Sequence, residues 1–259
     1  TAAHHIERTH GKHARIDLAP DHTAFVVMHA WDCGTPEEYP GWYRCVEYIP
    51  RANRICREVF PPLLAAIRRS PLPLYHVVGG GNYYRHLPGY MRAAALAGPA
   101  PEPPPLVASD PVLDGLHAFR STTVFVGEHN QSDVARGFER LDFAPEARPY
   151  GDEGVAENGH QLGALCRADG INHLIYMGFA INWCLLLSPG GMHEMSQRGV
   201  MCSAIRQAVT AVENRESARR ELHKEEGLWR VALAFGFVFD ADDVIRALNR
   251  LCGHGPHDE

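Results

Sequence analysis

The sequence predicts an α/β protein, a mostly parallel central sheet covered by helices on both faces in a three-layer arrangement. Three observations carry that expectation. Thr23-Ala-Phe-Val-Val-Met-His-Ala-Trp31 is an unbroken apolar run of strand length, as found in strands buried on both faces. In the C-terminal half, short apolar runs alternate with helix-length segments, the pattern of successive βα units. The chain is 259 residues long, 45% hydrophobic and 22% charged, enough to bury a sizeable core without disorder-prone composition.

Along the chain, residues 1–22 are polar and aperiodic and read as a surface arm, residues 23–252 as one domain, and 253–259 as a tail. Gly34 to Tyr48, rich in Gly, Pro and aromatics, reads as loop. Pro50 opens a helix through about Arg69, with Ile55, Val59, Leu63 and Ile67 on one face. Leu74–Val78 is a second strand. Residues 79–120 are irregular and proline-rich, an insertion of the kind that forms lids or interfaces, and Thr122–Val126 has strand composition. A helix over Gly159–Asp169 stops at Gly170, and His173–Met177 is a strand. Gly178 then turns the chain into a helix bearing Cys184. Gly199–Ile205 is a strand, 213–234 a charged helix, and Phe235–Phe239 a last strand. Asp240 is placed to cap the final helix, through about Leu251.

Composition excludes several function classes. A net charge of −6 offers no electrostatic footprint for nucleic acid or an anionic membrane. The apolar run from Leu174 to Leu187 is too short to span a bilayer, and no signal-peptide pattern is visible. The seven cysteines, at 33, 45, 56, 166, 184, 202 and 252, are irregularly spaced and form no CxxC. They predict neither a disulfide framework nor a zinc site, and a reducing, cytoplasmic setting. Gly79-Gly-Gly81 lacks the spacing and the lysine of a phosphate-binding loop and reads as a turn. No cofactor or metal is expected.

Chemistry concentrates at Cys184. In an α/β sheet ligands bind at the carboxyl ends of strands, and Cys184 stands just past such an end, at the start of a helix. Free backbone N–H groups and the positive end of the helix favour thiolate there and can hold an oxyanion. The other reading of such a residue is a buried structural cysteine.

The stretch His173-Leu-Ile-Tyr-Met-Gly178-Phe-Ala180-Ile-Asn-Trp-Cys184-Leu, followed by Arg198-Gly199 and a strand, resembles the isochorismatase-like cysteine hydrolases. Glycine six and alanine four residues before the cysteine match, as do the preceding helix and turn, Leu162–Gly170. The resemblance implies an isochorismatase-like fold with Cys184 as nucleophile on a small amide, ureido or enol-ether-type substrate. It implies an oxyanion hole from the N–H groups of Ala180 and Cys184, beside a cis Phe179–Ala180 bond. It also implies a homo-oligomer. Two departures stand out. His29 occupies the place of the family's aspartate, with Asp32 three residues on as the other candidate base. The family's lysine has no counterpart, since Lys12 and Lys224 are the chain's only lysines. Arg148, Glu157 and His160 are the polar candidates in that region; Trp31, Asn182 and Trp183 are candidates for the pocket wall, with Tyr83 and Tyr84. The family's D-x-H metal arrangement is not reproduced, and His76 and His86 read as structural or surface residues. The alternative to a hydrolase is a binding or assembly protein that has lost catalysis.

Overall fold

The computed structural model describes residues 3–4 and 14–253. Six strands form one all-parallel sheet: β1 (Thr23–Met28), β2 (Leu74–Val77), β3 (Gly154–Ala156), β4 (His173–Phe179), β5 (Met201–Thr210) and β6 (Val238–Phe239). Their order across the sheet is β6-β5-β4-β1-β2-β3. Two small antiparallel ribbons lie outside it, Ala3–His4 with Arg15–Ile16 and Trp31–Asp32 with Asp142–Phe143.

All six residues of β1 are buried, because the strand lies between β4 and β2 and is covered from both sides. Phe25 and Val27 enter one layer, with Ile55, Phe60, Leu63, Ile67 and Val244. Ala24, Val26 and Met28 enter the other, with Leu162, Leu165, Leu228 and Val231. Burying each large side chain contributes about 1.5–3 kcal/mol, and the one polar side chain of the strand, Thr23 at its start, is satisfied by donating to the Ala19 carbonyl at 2.8 Å. The helices Ile49–Glu58, Phe60–Arg69 and Ala241–Gly253 cover the first face; Gly159–Asp169 and Leu222–Ala234 cover the second.

The chain runs from β1 outward to β2 and β3, then crosses back to β4 on β1's other side. The strand order therefore reverses between β1 and β4, and the carboxyl ends of both strands open on one crevice. At that point Met28 is in register with Gly178. Gly178 has φ +126, and a Cβ there would collide with the Met28 carbonyl, so the two backbones approach as closely as they do only because position 178 lacks a side chain.

Several boundaries differ from expectation for local reasons. The helix expected from Pro50 to Arg69 is two helices joined at Val59. Pro61 and Pro62 have no N–H to bond back to the preceding turn, but they fit the start of a new helix. The loop at 34–48 contains a helix, Pro40–Cys45. The insertion contains Pro88–Ala97 and Pro111–Phe119. Thr122–Val126 is not a strand: Arg120–Val124 forms a wide helical turn, and its β-branched residues find no neighbouring strand to pair with. The charged helix begins only at Leu222, after Glu221 takes a left-handed conformation at φ +47. Asp240 accepts a hydrogen bond from Gln207 at 2.6 Å, and it is the Gln207 side-chain oxygen that takes the N–H of Ala241. Gly159–Asp169 ends at a left-handed Gly170, as the sequence predicts. Much of the surface arm expected at 1–22, and most of the tail expected at 253–259, lies outside the described residues. No helix among the described residues is long and apolar enough to cross a membrane.

The close approach of β1 and β4 gives a test. Gly178→Ala is expected to cost more than about 4 kcal/mol of unfolding free energy or to prevent folding. Gly199→Ala, also at positive φ (+81) but facing open space, is expected to cost about 1–2 kcal/mol. Urea midpoints of the two variants measure the difference; equal costs would show that the contact at 178 does not limit the fold.

Candidate functional site

Past the carboxyl ends of β1 and β4 lies a cavity of 410 Å³ lined by His29, Trp31, Trp42, Val46, Tyr48, Gly79, Gly80, Phe125, Val126, Val134, Phe138, Trp183, Cys184 and Ser188. Each side chain arrives from a distinct element. His29 ends β1, Gly79 and Gly80 follow β2, and Cys184 opens the one-turn helix Cys184–Leu187 after β4. Trp42 comes from the helix Pro40–Cys45, and Val134 and Phe138 from Gln131–Glu139. Phe125 and Val126 follow the helical turn Arg120–Val124, just past the insertion.

Cys184 sits four residues before Ser188, whose backbone N–H bonds the Cys184 carbonyl at 3.0 Å. Burial pushes the Cys184 thiol up from its ordinary value. Three hydrogen-bond donors act the other way: the Ser188 hydroxyl and the backbone N–H groups of Ala180 and of Cys184 itself. The Phe179–Ala180 bond is cis, the geometry that the resemblance implied. Asn182 holds the connecting loop by two bonds to Val212, donating to its carbonyl and accepting from its N–H, each 2.9 Å. Phe179 itself points into the core, stacked on Phe60 at 5.8 Å.

His29 has a left-handed backbone, φ +51, which ends β1 one residue past Met28. That conformation costs a non-glycine residue about 1–2 kcal/mol. Its ring stacks on Trp31 at 4.6 Å between centroids and 17° between planes, and its Nδ1 is buried without a hydrogen-bond partner. Burial lowers its pKa to about 4, so the imidazole is neutral at pH 7. The Trp31 ring is held from its other end, where Nε1 donates to the Tyr83 hydroxyl at 2.9 Å. The glycines after β2 are explained here: a Cβ on Gly79 would press on His29 Nε2 at 3.3 Å, and one on Gly80 (φ +70) on Phe138 and Leu141 at 3.2 Å. The Gly79–Gly81 turn is thus part of a cavity wall.

The other expected site residues are placed elsewhere. Asp32 is exposed and accepts from the N–H of Gly34 at 3.0 Å, a local turn that directs the carboxylate out of the cavity. Arg148 pairs with Asp142 at 2.6 Å. Glu157 is bound by the hydroxyls of Tyr84 and Tyr90 at 2.6 and 2.9 Å. His160 has a buried, unpartnered Nε2 but does not line the cavity. Asn182 serves the loop and not the wall. Lys224 lies against Glu221 at 3.8 Å. Of the expected set, Cys184, His29, Trp31 and Trp183 share the cavity. Sequence reasoning missed Trp42, Tyr48, Phe125, Phe138 and Ser188. Ser188 carried a signal, since residues four apart share a helix face. The aromatics carried none, because they converge from segments remote in sequence. Among the described residues, no group of three or more His, Cys, Asp or Glu is placed to hold a metal ion.

By sequence, no known family profile and no curated protein matches the chain. By structure, it is similar to a cysteine hydrolase from Pseudomonas syringae pv. phaseolicola 1448A, with TM-score 0.53 and 14% identity over 90% of this chain and 95% of that one. It is similar to an isochorismatase-like hydrolase from Alkaliphilus metalliredigens, with TM-score 0.51 and 16% identity over 87% and 97%. An isochorismatase family protein from Burkholderia thailandensis gives TM-score 0.50 and 18% identity over 90% and 97%. The structural neighbours are isochorismatase-family cysteine hydrolases at low identity over most of the chain. This sheet order, the crossing at β1 and β4 and the cysteine beyond β4 are thus set in an isochorismatase-like α/β fold.

Proposed function

We propose that the chain is a cysteine-dependent hydrolase of a small carbonyl substrate, with Cys184 as nucleophile. The observation that carries this reading is the placement of Cys184 at the start of the turn of helix after β4, in the wall of a ligand-sized cavity that it shares with His29 and Ser188. In the reaction, the thiol proton leaves to the neutral His29 imidazole or to water, and the sulfur attacks the carbonyl carbon. The N–H groups of Ala180 and Cys184 receive the negative charge of the tetrahedral oxygen. Collapse expels the leaving group with a proton, and water then releases the acyl group from sulfur. His29 stands in for the carboxylate of related proteins. Burial keeps it unprotonated above about pH 4 and by the same cause makes it a weak base, which bears only a partial transfer of the thiol proton.

A second reading has its own observation. No carboxylate or cation is among the described residues lining the cavity, and burial raises the thiol pKa. Neither His29 nor Cys184 responds to the charge of the other. These features suit a protein that holds a ligand without turning it over.

The thiol's upward shift fixes a sign. The thiolate is the reactive form, so alkylation of Cys184 by iodoacetamide is expected to accelerate about tenfold per pH unit from pH 7 to 9. Peptide mass spectrometry separates it from the exposed Cys252. A plateau below pH 8 would show a thiolate already formed and contradict the burial argument. Under the hydrolase reading, a neutral amide or thioester is turned over and Cys184→Ser abolishes the activity. His29→Gln is expected to lower kcat by about 10²–10⁴-fold. No turnover by the wild-type protein, with ligand binding unchanged in Cys184→Ser, would decide for the second reading.

We also propose that the chain self-associates through its insertion. Leu106, Val107, Val112, Leu116, Phe119 and Val124 are exposed large apolar side chains in a single segment, more than an isolated monomer usually shows in one place. Light scattering coupled to gel filtration is expected to give a dimer or larger species, and Leu116→Glu with Phe119→Glu to shift it toward monomer. An unshifted mass would remove the insertion from the interface.

A further inference from the structure

Resting on the reading of Cys184 as the reacting group, we propose that the cavity selects an uncharged, ring-bearing carbonyl compound over carboxylates and ammonium ions of the same size. Six aromatic residues contribute to its wall: Trp31, Trp42, Tyr48, Phe125, Phe138 and Trp183. Their mutual geometry is edge-to-face or tilted, with Trp31–Phe138 at 5.8 Å and 69°, Trp42–Phe138 at 5.4 Å and 37°, and Phe125–Trp183 at 5.5 Å and 70°. Such a wall offers both ring edges and ring faces to a further ring.

Charge is missing from the same wall. Among the described lining residues there is no Asp, Glu, Lys or Arg, and the two ordinary titrating groups, His29 and Cys184, are neutral at pH 7. A carboxylate entering this space would give up its hydration for no cation, which is costly. An ammonium ion is the more serious competitor, since aromatic cages bind cations over ring faces. Here one face of Trp31 is already covered by His29, Trp42 is packed between Tyr39 and Phe138, and no carboxylate in the wall offsets the lost hydration.

The groups suited to meet a reacting carbonyl lie around Cys184. The sulfur, the Ser188 hydroxyl and the N–H groups of Ala180 and Cys184 receive the carbonyl. The ring then lies toward the Phe125–Trp183 pair, where Trp183 is 41% exposed and borders solvent. A cavity of about 150 Å³ holds a benzene ring; 410 Å³ has room for a ring, a short chain and the carbonyl group.

Three of the four tryptophans line the cavity and the fourth, Trp229, does not, so intrinsic fluorescence reads occupancy. Phenylacetamide, phenylacetate and phenyltrimethylammonium are titrated into the Cys184→Ser protein, which removes turnover from the measurement. The amide is expected to quench saturably and to bind at least about tenfold more tightly than either ion. Trp183→Ala, a substitution at a partly exposed position, is expected to weaken the amide while leaving circular dichroism unchanged. Equal or tighter binding of either ion, or no saturable binding of the amide, overturns the proposal. Selective amide binding with an inert wild-type thiol would leave this selectivity standing and sink the hydrolase reading instead. Turnover without selectivity would do the reverse.

Discussion

The backbone contact between Met28 and Gly178 sets the spacing on which the site depends. Two strands side by side in a parallel sheet ordinarily carry side chains on both faces, and those side chains hold the layers apart. Here one position has no Cβ and a φ that other residues resist, so β4 can close on β1 at the point where both strands end. One residue beyond Met28 the chain enters a left-handed turn at His29; six beyond Gly178 it starts the helix at Cys184. The imidazole and the thiol belong to the same cavity because the two strands carrying them are in register there.

Desolvation then decides the chemistry. It lowers the histidine and raises the cysteine, moving both toward their neutral forms for the same reason: a charge surrounded by aromatic rings has lost its water. The donors at the sulfur work against this for the thiol alone. A site built in this way holds little charge at rest; on the hydrolase reading proposed above, charge would gather only when a carbonyl oxygen develops it near the backbone N–H groups, the condition under which fixed dipoles lower a barrier most effectively.

Fold and site differed in how far they could be read from the chain. Buried strands announce themselves, because β1 and β4 are apolar on both faces apart from Thr23 and His173 at their first positions, and the run Thr23–Trp31 shows it. Gly178, Ala180 and Cys184 were legible together, since the turn after β4 imposes residue types at fixed spacing. Boundaries were less so: Pro61 and Pro62 divide a helix whose apolar face is continuous, and Thr122–Val126 has strand composition without a strand to pair with. The cavity wall was least legible. Trp42, Phe125 and Phe138 meet only after the helices at 40–45 and 131–139 pack together, a tertiary event without local trace. Asp32 shows the converse error. Its nearness in sequence to His29 suggested a role at the site, yet the turn at Gly34 satisfies its carboxylate locally and leaves it in solvent.

An aspartate at the end of β1 and a lysine near the cysteine, both part of the pattern that the sequence resembles, are absent here, and their absence fits the aromatic wall. An ion pair in such surroundings is stable only when both charges are present and well bonded; either alone is strongly destabilising. With histidine at position 29 there is no carboxylate for a lysine to pair with, and a cation in this wall would have no carboxylate partner among the described lining residues. The absence of both removes the requirement for polar neighbours and leaves the surrounding positions to rings. The histidine at position 29, the absence of a charged side chain from the described lining and the aromatic cavity can therefore be understood together, as a site whose electrostatics rest on neutral groups and backbone dipoles and not on a buried pair of charges.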